Sequence, residues 1–208
     1  MNNLSRKERE RLQRETEIIN SAEKIFARDG FEHASMNEIA KEAEFSKRTL
    51  YQYFEDKNDL YLTVALRLYN NMYRYFSNLN SEYDSGLEKI KANFFAYYRF
   101  YKKNESNFRI IYDIGNVRQK TENPKIMEFL KIDKLIFEDL LNLVIEGQQD
   151  GSISKELDVR LTTSSLIFLL TGFLNQLTIT GDNYSKHSNM TIDDLSSYVF
   201  GLLYSAMK

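Results

Sequence analysis

The chain has 208 residues, 42% hydrophobic and 28% charged, an ordinary globular balance with length for one or two cored domains. It holds no cysteine, two histidines (His33 and His187), one proline and eight glycines. That excludes disulfides and thiolate metal sites, leaves little for a zinc or histidine-based catalytic centre, and favours long helices. The net charge of −2 argues against an indiscriminate nucleic-acid coat, although a specific binder needs only a local basic surface.

In chain order, Ser5 to Glu17 is highly charged and reads as a frayed arm. The start, Met1 to Arg14, is polar and carries no apolar run, so no signal peptide is expected. From Ile18 the spacing Ile18, Ala22, Ile25, Phe26 predicts a first helix, with Gly30 as its C-terminal cap. Ser35-Met36-Asn37-Glu38 reads as a capping box opening a second helix with Ile39, Ala40 and Ala43 inward. After a break at Glu44-Phe45, Ser46 caps a third helix, Lys47 to about Tyr53, with Leu50 and Phe54 on the core side. Asp56 caps a fourth, Lys57 to about Asn80, with Asp59 in the reciprocal position.

Further helices are predicted over Leu87–Lys103, Asn107–Ile114, Pro124 to about Gln149, Leu157–Thr180 and Thr191 to the end. Polar loops are expected at Asn80–Gly86, Gly115–Asn123 and Gly181–Asn189, the last holding His187. The longest apolar run, near Leu166–Leu170, is too short to span a bilayer, so the expected protein is cytoplasmic.

Three short helices followed by a long one suit a helix-turn-helix, whose second helix enters a major groove about 12 Å wide. Ile39, Ala40, Ala43, Phe45 and Leu50 supply its core side; Lys47, Arg48, Thr49, Gln52 and the Tyr51 and Tyr53 hydroxyls supply donors. The stretches Phe26 to Phe31, Ser35 to Ala43 and Ser46 to Phe54, with Lys57 and Leu60, resemble the TetR family signature over about the first quarter of the chain.

That resemblance implies an all-α protein of about nine helices. A three-helix DNA-binding domain (1–56) would precede a helical ligand-binding and dimerisation domain (57–208). It also implies a homodimer whose DNA-binding domains are spread by an inducer. One departure is Glu44, where the family often has glycine; a positive backbone angle there would cost about 1 kcal/mol.

The DNA-binding residues expected are Ser35, Ser46, Lys47, Arg48, Thr49, Tyr51, Gln52, Tyr53 and Lys57. Arginine to guanine and glutamine to adenine are the favoured base pairings, but for any one residue base and phosphate contact remain open. Tyr51 is placed near the groove and Tyr53 at the backbone. Ser35 caps the second helix with its hydroxyl or amide in reach of phosphate. Lys57 is a cation at the positive end of a helix, an electrostatic conflict that a DNA phosphate would remove.

The aromatics further on are read first as core. The sharper reading is a hydrophobic or cationic ligand pocket of Tyr69, Tyr73, Tyr98, Tyr101, Phe108, Tyr112, Phe137 and Phe173. Gly172 and Gly201 interrupt apolar helices, as close helix approach would justify. The expected dimer seam is therefore Leu166, Leu169, Gly172, Phe173, Leu195, Tyr198, Gly201 and Leu202, in a four-helix bundle with the partner.

The function expected is a repressor released from a palindromic operator by a small hydrophobic ligand. The alternative is a DNA-bound protein without such a ligand, controlled by a protein partner or architectural. A helical enzyme is not expected, since no nucleophile–histidine pair, phosphate loop or metal-ligand cluster is present; no cofactor or metal is expected either.

Overall fold

The computed structural model of the chain describes residues 5–77, 83–118 and 122–208. Among them are nine helices and no strand: α1 (Arg6–His33), α2 (Met36–Glu42), α3 (Lys47–Leu50), α4 (Lys57–Phe76), α5 (Gly86–Lys103), α6 (Glu105–Arg118), α7 (Ile126–Asp150), α8 (Val159–Ser188) and α9 (Ile192–Ala206). Part of each of the expected loops at Asn80–Gly86 and Gly115–Asn123 lies outside the described residues.

The chain forms two compact units, Met1–Tyr69 with Arg109–Phe129, and Asn70–Phe108 with Leu130–Lys208. This division cuts across a boundary at residue 56. Beyond α3, the first unit takes in the first thirteen residues of α4 and a second, distant segment of chain.

In the first unit, α1 starts earlier than its charge pattern suggests. The Ser5 hydroxyl accepts from the Glu8 amide at 3.3 Å and the Glu8 carboxylate accepts from the Ser5 amide at 2.7 Å. This capping box makes residues 6–17 helical rather than a frayed arm. Gly30, at φ 76° and ψ 173°, kinks α1 in a conformation that favours glycine. One further turn then ends at His33. Ile18, Ala22, Ile25 and Phe26 bury themselves with Ile39, Leu50, Leu60 and Tyr61. The Tyr61 ring meets Phe26 edge-on at 4.8 Å and Phe31 at 4.9 Å.

In the second unit, α5 packs on α8 and α9 through an aromatic core. Phe94, Tyr98 and Phe173 surround Phe200 at 5.8, 6.1 and 6.0 Å. The start of α5 crosses α7 with backbone against backbone: a Cβ on Gly86 would lie 2.3 Å from the Gly147 nitrogen. The Gly86 amide donates to Asp150 at 2.7 Å and the Leu87 amide to Ser152 at 3.2 Å, so the last residue of α7 and one just beyond it satisfy α5's first N–H groups.

α8 runs through the expected loop at Gly181–Asn189 and ends only where Asn189 takes φ 53°. Gly181 is buried, its Cα side facing Ile192 of α9 and Leu177, and this packing keeps a polar stretch helical. His187 therefore lies in a helix's last turn. Within α8, Val159–Gly181, with a mean hydropathy of 1.2, is by length and composition long and apolar enough to cross a membrane, where the sequence pattern picked out only the shorter run near Leu166–Leu170; 28% of that window is buried in the protein. Leu161, Phe168 and Ile179 on α8 are each two-thirds or more exposed, and Tyr198 on α9 is similarly bare.

Candidate nucleic-acid interface

The α2–α3 pair is set by its caps. The Ser35 hydroxyl accepts from the Glu38 amide at 3.2 Å while Glu38 accepts from the Ser35 amide at 3.2 Å. Ile39 and Ala40 are buried. The turn closes with the Phe45 amide on the Ala40 carbonyl at 2.9 Å. Glu44 in that turn takes φ 58°, the left-handed region its missing glycine would occupy without strain. The Ser46 hydroxyl then accepts from the Thr49 amide at 3.1 Å and lies 2.8 Å from the Thr49 hydroxyl.

α3 is regular only from Lys47 to Leu50. Residues 51–53 continue as turns, the Gln52 amide on Thr49 and the Tyr53 amide on Leu50, each at 3.0 Å. Leu50 and Phe54 face the core. The opposite face carries Lys47, Arg48, Tyr51 and Gln52, all exposed. Arg48 and Gln52 make no side-chain hydrogen bond or ion pair among the described residues, and the Lys47 ammonium lies 5.9 Å over the Tyr51 ring. Thr49 and Tyr53 are half-buried at the flanks, and the hydroxyls of Ser35, Ser46 and Thr49 are engaged in caps. The outward surface thus narrows to four donors suited to base edges and phosphates.

This platform is braced from three sides. Lys24 pairs with Glu42 at 3.2 Å, tying α1 to α2. Arg67 of α4 binds Asn20 at 2.7 Å and forms an ion pair with Glu23, tying α4 to α1. The Lys57 ammonium donates to the carbonyls of Phe31, Glu32 and Ala34 at 2.7, 3.3 and 3.0 Å and lies 4.4 Å from the Phe31 ring centre. An ammonium has three protons, and these three carbonyls take them. The conflict that sequence reasoning resolved with DNA phosphate is resolved inside the protein, by the negative end of α1.

The start of α4 also holds the distant segment of its unit. The Asp59 carboxylate accepts from the Lys125 ammonium, from Asn123 at 3.1 Å and from the Glu55 amide at 3.2 Å. Burial opposes its charge, but these bonds outweigh burial and hold its pKa below the ordinary carboxylate value. The Tyr61 hydroxyl lies 3.3 Å from the Ile110 carbonyl and 3.2 Å from Asp113. Burial first, and the Asp113 charge second, push its pKa far up.

Of the ring residues nominated for a pocket, Tyr69 and Tyr112 belong to the first unit, where Tyr69 leans on Phe129 at 5.8 Å. In the second unit Tyr98 stacks on Tyr101 at 6.2 Å and Tyr101 meets Phe108 edge-on at 5.2 Å. Tyr98 donates to Asp193 at 2.6 Å and Tyr73 to Asp139 at 2.9 Å. Phe137 lies under Arg160 at 5.6 Å, and Phe173 is on Phe200. Tyr69, Tyr98, Tyr101, Phe108 and Phe173 thus pack against other rings. A groove of 480 Å³ on the outside of α5, lined by Tyr83, Glu88, Lys91, Ala92, Phe95 and Arg99, contains none of them.

The nominated seam residues divide in two. Leu166 is buried, Phe173 packs on Phe200, and Leu195 is half-buried. Leu169, Gly172, Tyr198, Gly201 and Leu202 face outward, and a Cβ on either glycine would meet nothing within 4 Å.

Residues 18–64 match the family described as bacterial regulatory proteins, tetR family. An HTH-type transcriptional regulator of Staphylococcus aureus (strain bovine RF122 / ET3-1) is 39% identical over 72 residues, 35% of this chain and 39% of that protein. The HTH-type transcriptional activator FasR of Mycolicibacterium smegmatis is 28% identical over 103 residues, 50% of this chain and 47% of its own length. The chain thus spans less than half the length of these relatives. The fold is similar to that of the transcriptional regulator FadR from Bacillus subtilis, solved in complex with stearoyl-CoA. That likeness has a TM-score of 0.72 and 19% identity over 93% of this chain and all of that one. Signature and helix-turn-helix geometry agree over residues 18–64, the stretch that matches the tetR family of bacterial regulatory proteins, and the whole chain is similar in fold to a solved transcriptional regulator.

Proposed function

We propose that the protein is a homodimeric transcription repressor that grips a palindromic operator with α3 and is released by a small hydrophobic ligand. The observation that carries this reading is the outward face of α3. Lys47, Arg48, Tyr51 and Gln52 project from a turn whose caps and core leave them no other work. Thr49, Tyr53 and Ser46 flank that face, and Ser35 stands at the start of α2. Lys57 serves by holding α1 to α4 rather than by reaching out.

Two half-sites about one helical turn apart require two copies of α3 at matched spacing. The bare apolar stripe of α8 and α9, with its two open glycines, fits a second copy of the chain. Thr162, Thr163, Ser164, Ser165, Asn175 and Gln176 on α8 speak for a seam in a cytoplasmic protein over a lipid-facing span. An effector that binds the spread form better would shift the population and lower operator affinity.

The acyl-CoA held by the B. subtilis neighbour supports a greasy effector with a polar head. Two observations favour other readings of the output. The rings of Tyr98, Tyr101 and Phe108, already packed together, favour control without a small ligand. The M. smegmatis relative is called an activator.

The test is selection of genomic fragments by the purified protein, followed by release with saturated acyl-CoAs. Enrichment of inverted repeats with half-sites about ten base pairs apart supports the regulator. No preference over random DNA, with the fold intact, overturns it. Fragments that bind but resist every acyl-CoA leave the regulator and remove the effector.

A further inference from the structure

The inward face of α1 changes chemistry along its length. From Ile18 onward it is apolar and buried, through Ala22 and Ile25. Stepping back by helical turns, positions 14, 11 and 7 share that face, and they are Arg14, Arg11 and Lys7, all exposed. The capping box makes this segment helix, so the three cations form a stripe in register with the core face but beyond the core's edge.

Their neighbours are occupied. Arg6 pairs with Glu10, Glu8 closes the cap, and Gln13 donates to Glu17. Lys7, Arg11 and Arg14 make no hydrogen bond or ion pair among the described residues. Arg11 has one contact: its guanidinium lies 5.9 Å over the ring of Tyr53. Tyr53 belongs to the turn that continues α3. The middle of the stripe therefore lies beside the turn that continues α3.

We propose that Lys7, Arg11 and Arg14 form a second DNA contact, gripping backbone phosphates next to the bases read by α3. The inference rests on the DNA-binding reading above and extends its surface. The dimensions suit it: seven helical residues span about 10 Å, the axial length of about three phosphates of one strand. Phosphate contacts carry no sequence information; they add affinity and fix orientation. The Arg11–Tyr53 contact sets where this grip lies relative to α3.

The experiment measures affinity from 50 to 300 mM salt for the wild type and for K7Q/R11Q/R14Q. The probes are the selected fragment and a random duplex of equal length. Each lost phosphate contact flattens log K against log salt by about 0.9, so the expected change is two to three units per bound protomer. Affinity should fall at least tenfold, by the same factor on both probes, leaving sequence preference intact. R11K/R14K should keep the wild-type slope.

R11Q alone, an exposed single change, should lose about one unit of slope, which guards against misfolding of the triple variant. An unchanged slope with a native circular dichroism spectrum overturns the proposal. So does a loss confined to the selected fragment, which would make the stripe a base reader. Failure of the wild type to prefer any sequence would instead strike the regulator reading, while the slope on random duplex still decides the stripe.

Discussion

Replacing Lys57 with methionine keeps most of the side chain's length and removes the ammonium. Two of its three bonds, to the Phe31 and Ala34 carbonyls at 2.7 and 3.0 Å, are part-buried, while the third, to Glu32, is exposed. Hydrogen bonds to charged groups contribute about 1.5–3 kcal/mol where solvent is limited. An exposed cation over an aromatic face adds about 0.5–1 kcal/mol. With the exposed bond discounted and the two part-buried bonds taken at the low end of that range, K57M should cost about 3–4 kcal/mol. Urea denaturation at fixed protein concentration should show a lower midpoint with an unchanged slope. The same variant settles what the ammonium does on DNA. If the α1 carbonyls keep it, affinity falls because α3 is less well held, but the salt dependence stays as in the wild type. A destabilisation below about 0.5 kcal/mol, together with a salt slope flattened by about 0.9 per protomer, would refute the internal clamp and return Lys57 to a phosphate.

E44G should stabilise the protein by about 0.5–1 kcal/mol, because relief of the left-handed strain at φ 58° exceeds the entropy glycine adds to the unfolded chain; a lower thermal midpoint would mean that the turn depends on the glutamate side chain. G86A should cost about 3 kcal/mol, since its Cβ runs into the Gly147 backbone. G147A should cost only about 1 kcal/mol, since its Cβ meets the movable Ile153 side chain; equal losses in paired denaturation curves would refute that distinction. Asp59, with its lowered pKa, should contribute stability in full above a pH of about 4 and lose it as the pH falls through the lower folded value. The stability gap between wild type and D59N should thus be flat from neutral to mildly acidic pH and shrink below about 4; a gap that widens in acid contradicts it. G172L and G201L should fold normally, having open space in the protomer, but shift light scattering toward monomer; variants that stay dimeric would place the seam elsewhere.

What could be read in the sequence was local. The caps at Ser35, Ser46 and Asp56 all operate, each side chain accepting from an amide three residues on. The outward face of α3 followed from Leu50 and Phe54 taking the other side. The strain at Glu44 was visible as a side chain where a turn wanted none. What escaped depended on residues distant in sequence. The partners of Lys57 lie 23 to 26 positions upstream, so only its conflict with the helix dipole was legible. The polar end of α8 reads as loop until Ile192 is seen to cover Gly181. That Tyr98 packs on Tyr101 and Tyr101 on Phe108 was not legible, because composition carries no information on which side chains meet. Residues 6–17 looked disordered by charge density, although Ser5 and Glu8 already spelled a capping box.

The inclusion of Arg109–Phe129 in the first unit has a mechanical consequence. Within one turn and a half, α4 binds three separate pieces of chain. Lys57 holds the end of α1, Asp59 holds Asn123 and Lys125, and Tyr61 holds Ile110 and Asp113 of α6. These side chains hang from one rigid helical segment, so displacing the distant segment must either break the Asp59 and Tyr61 bonds or carry the first turn of α4 with it. Carrying that turn pulls on α1 through Lys57, and α1 is tied to α2 through Lys24 and Glu42. Charge-assisted bonds that are part-buried, as at Asp59, are costly to break without replacement, so motion together is favoured over rupture. A conformational change arriving through α6 would therefore reach α3 as a movement of its platform, leaving Lys47, Arg48, Tyr51 and Gln52 in their own local geometry.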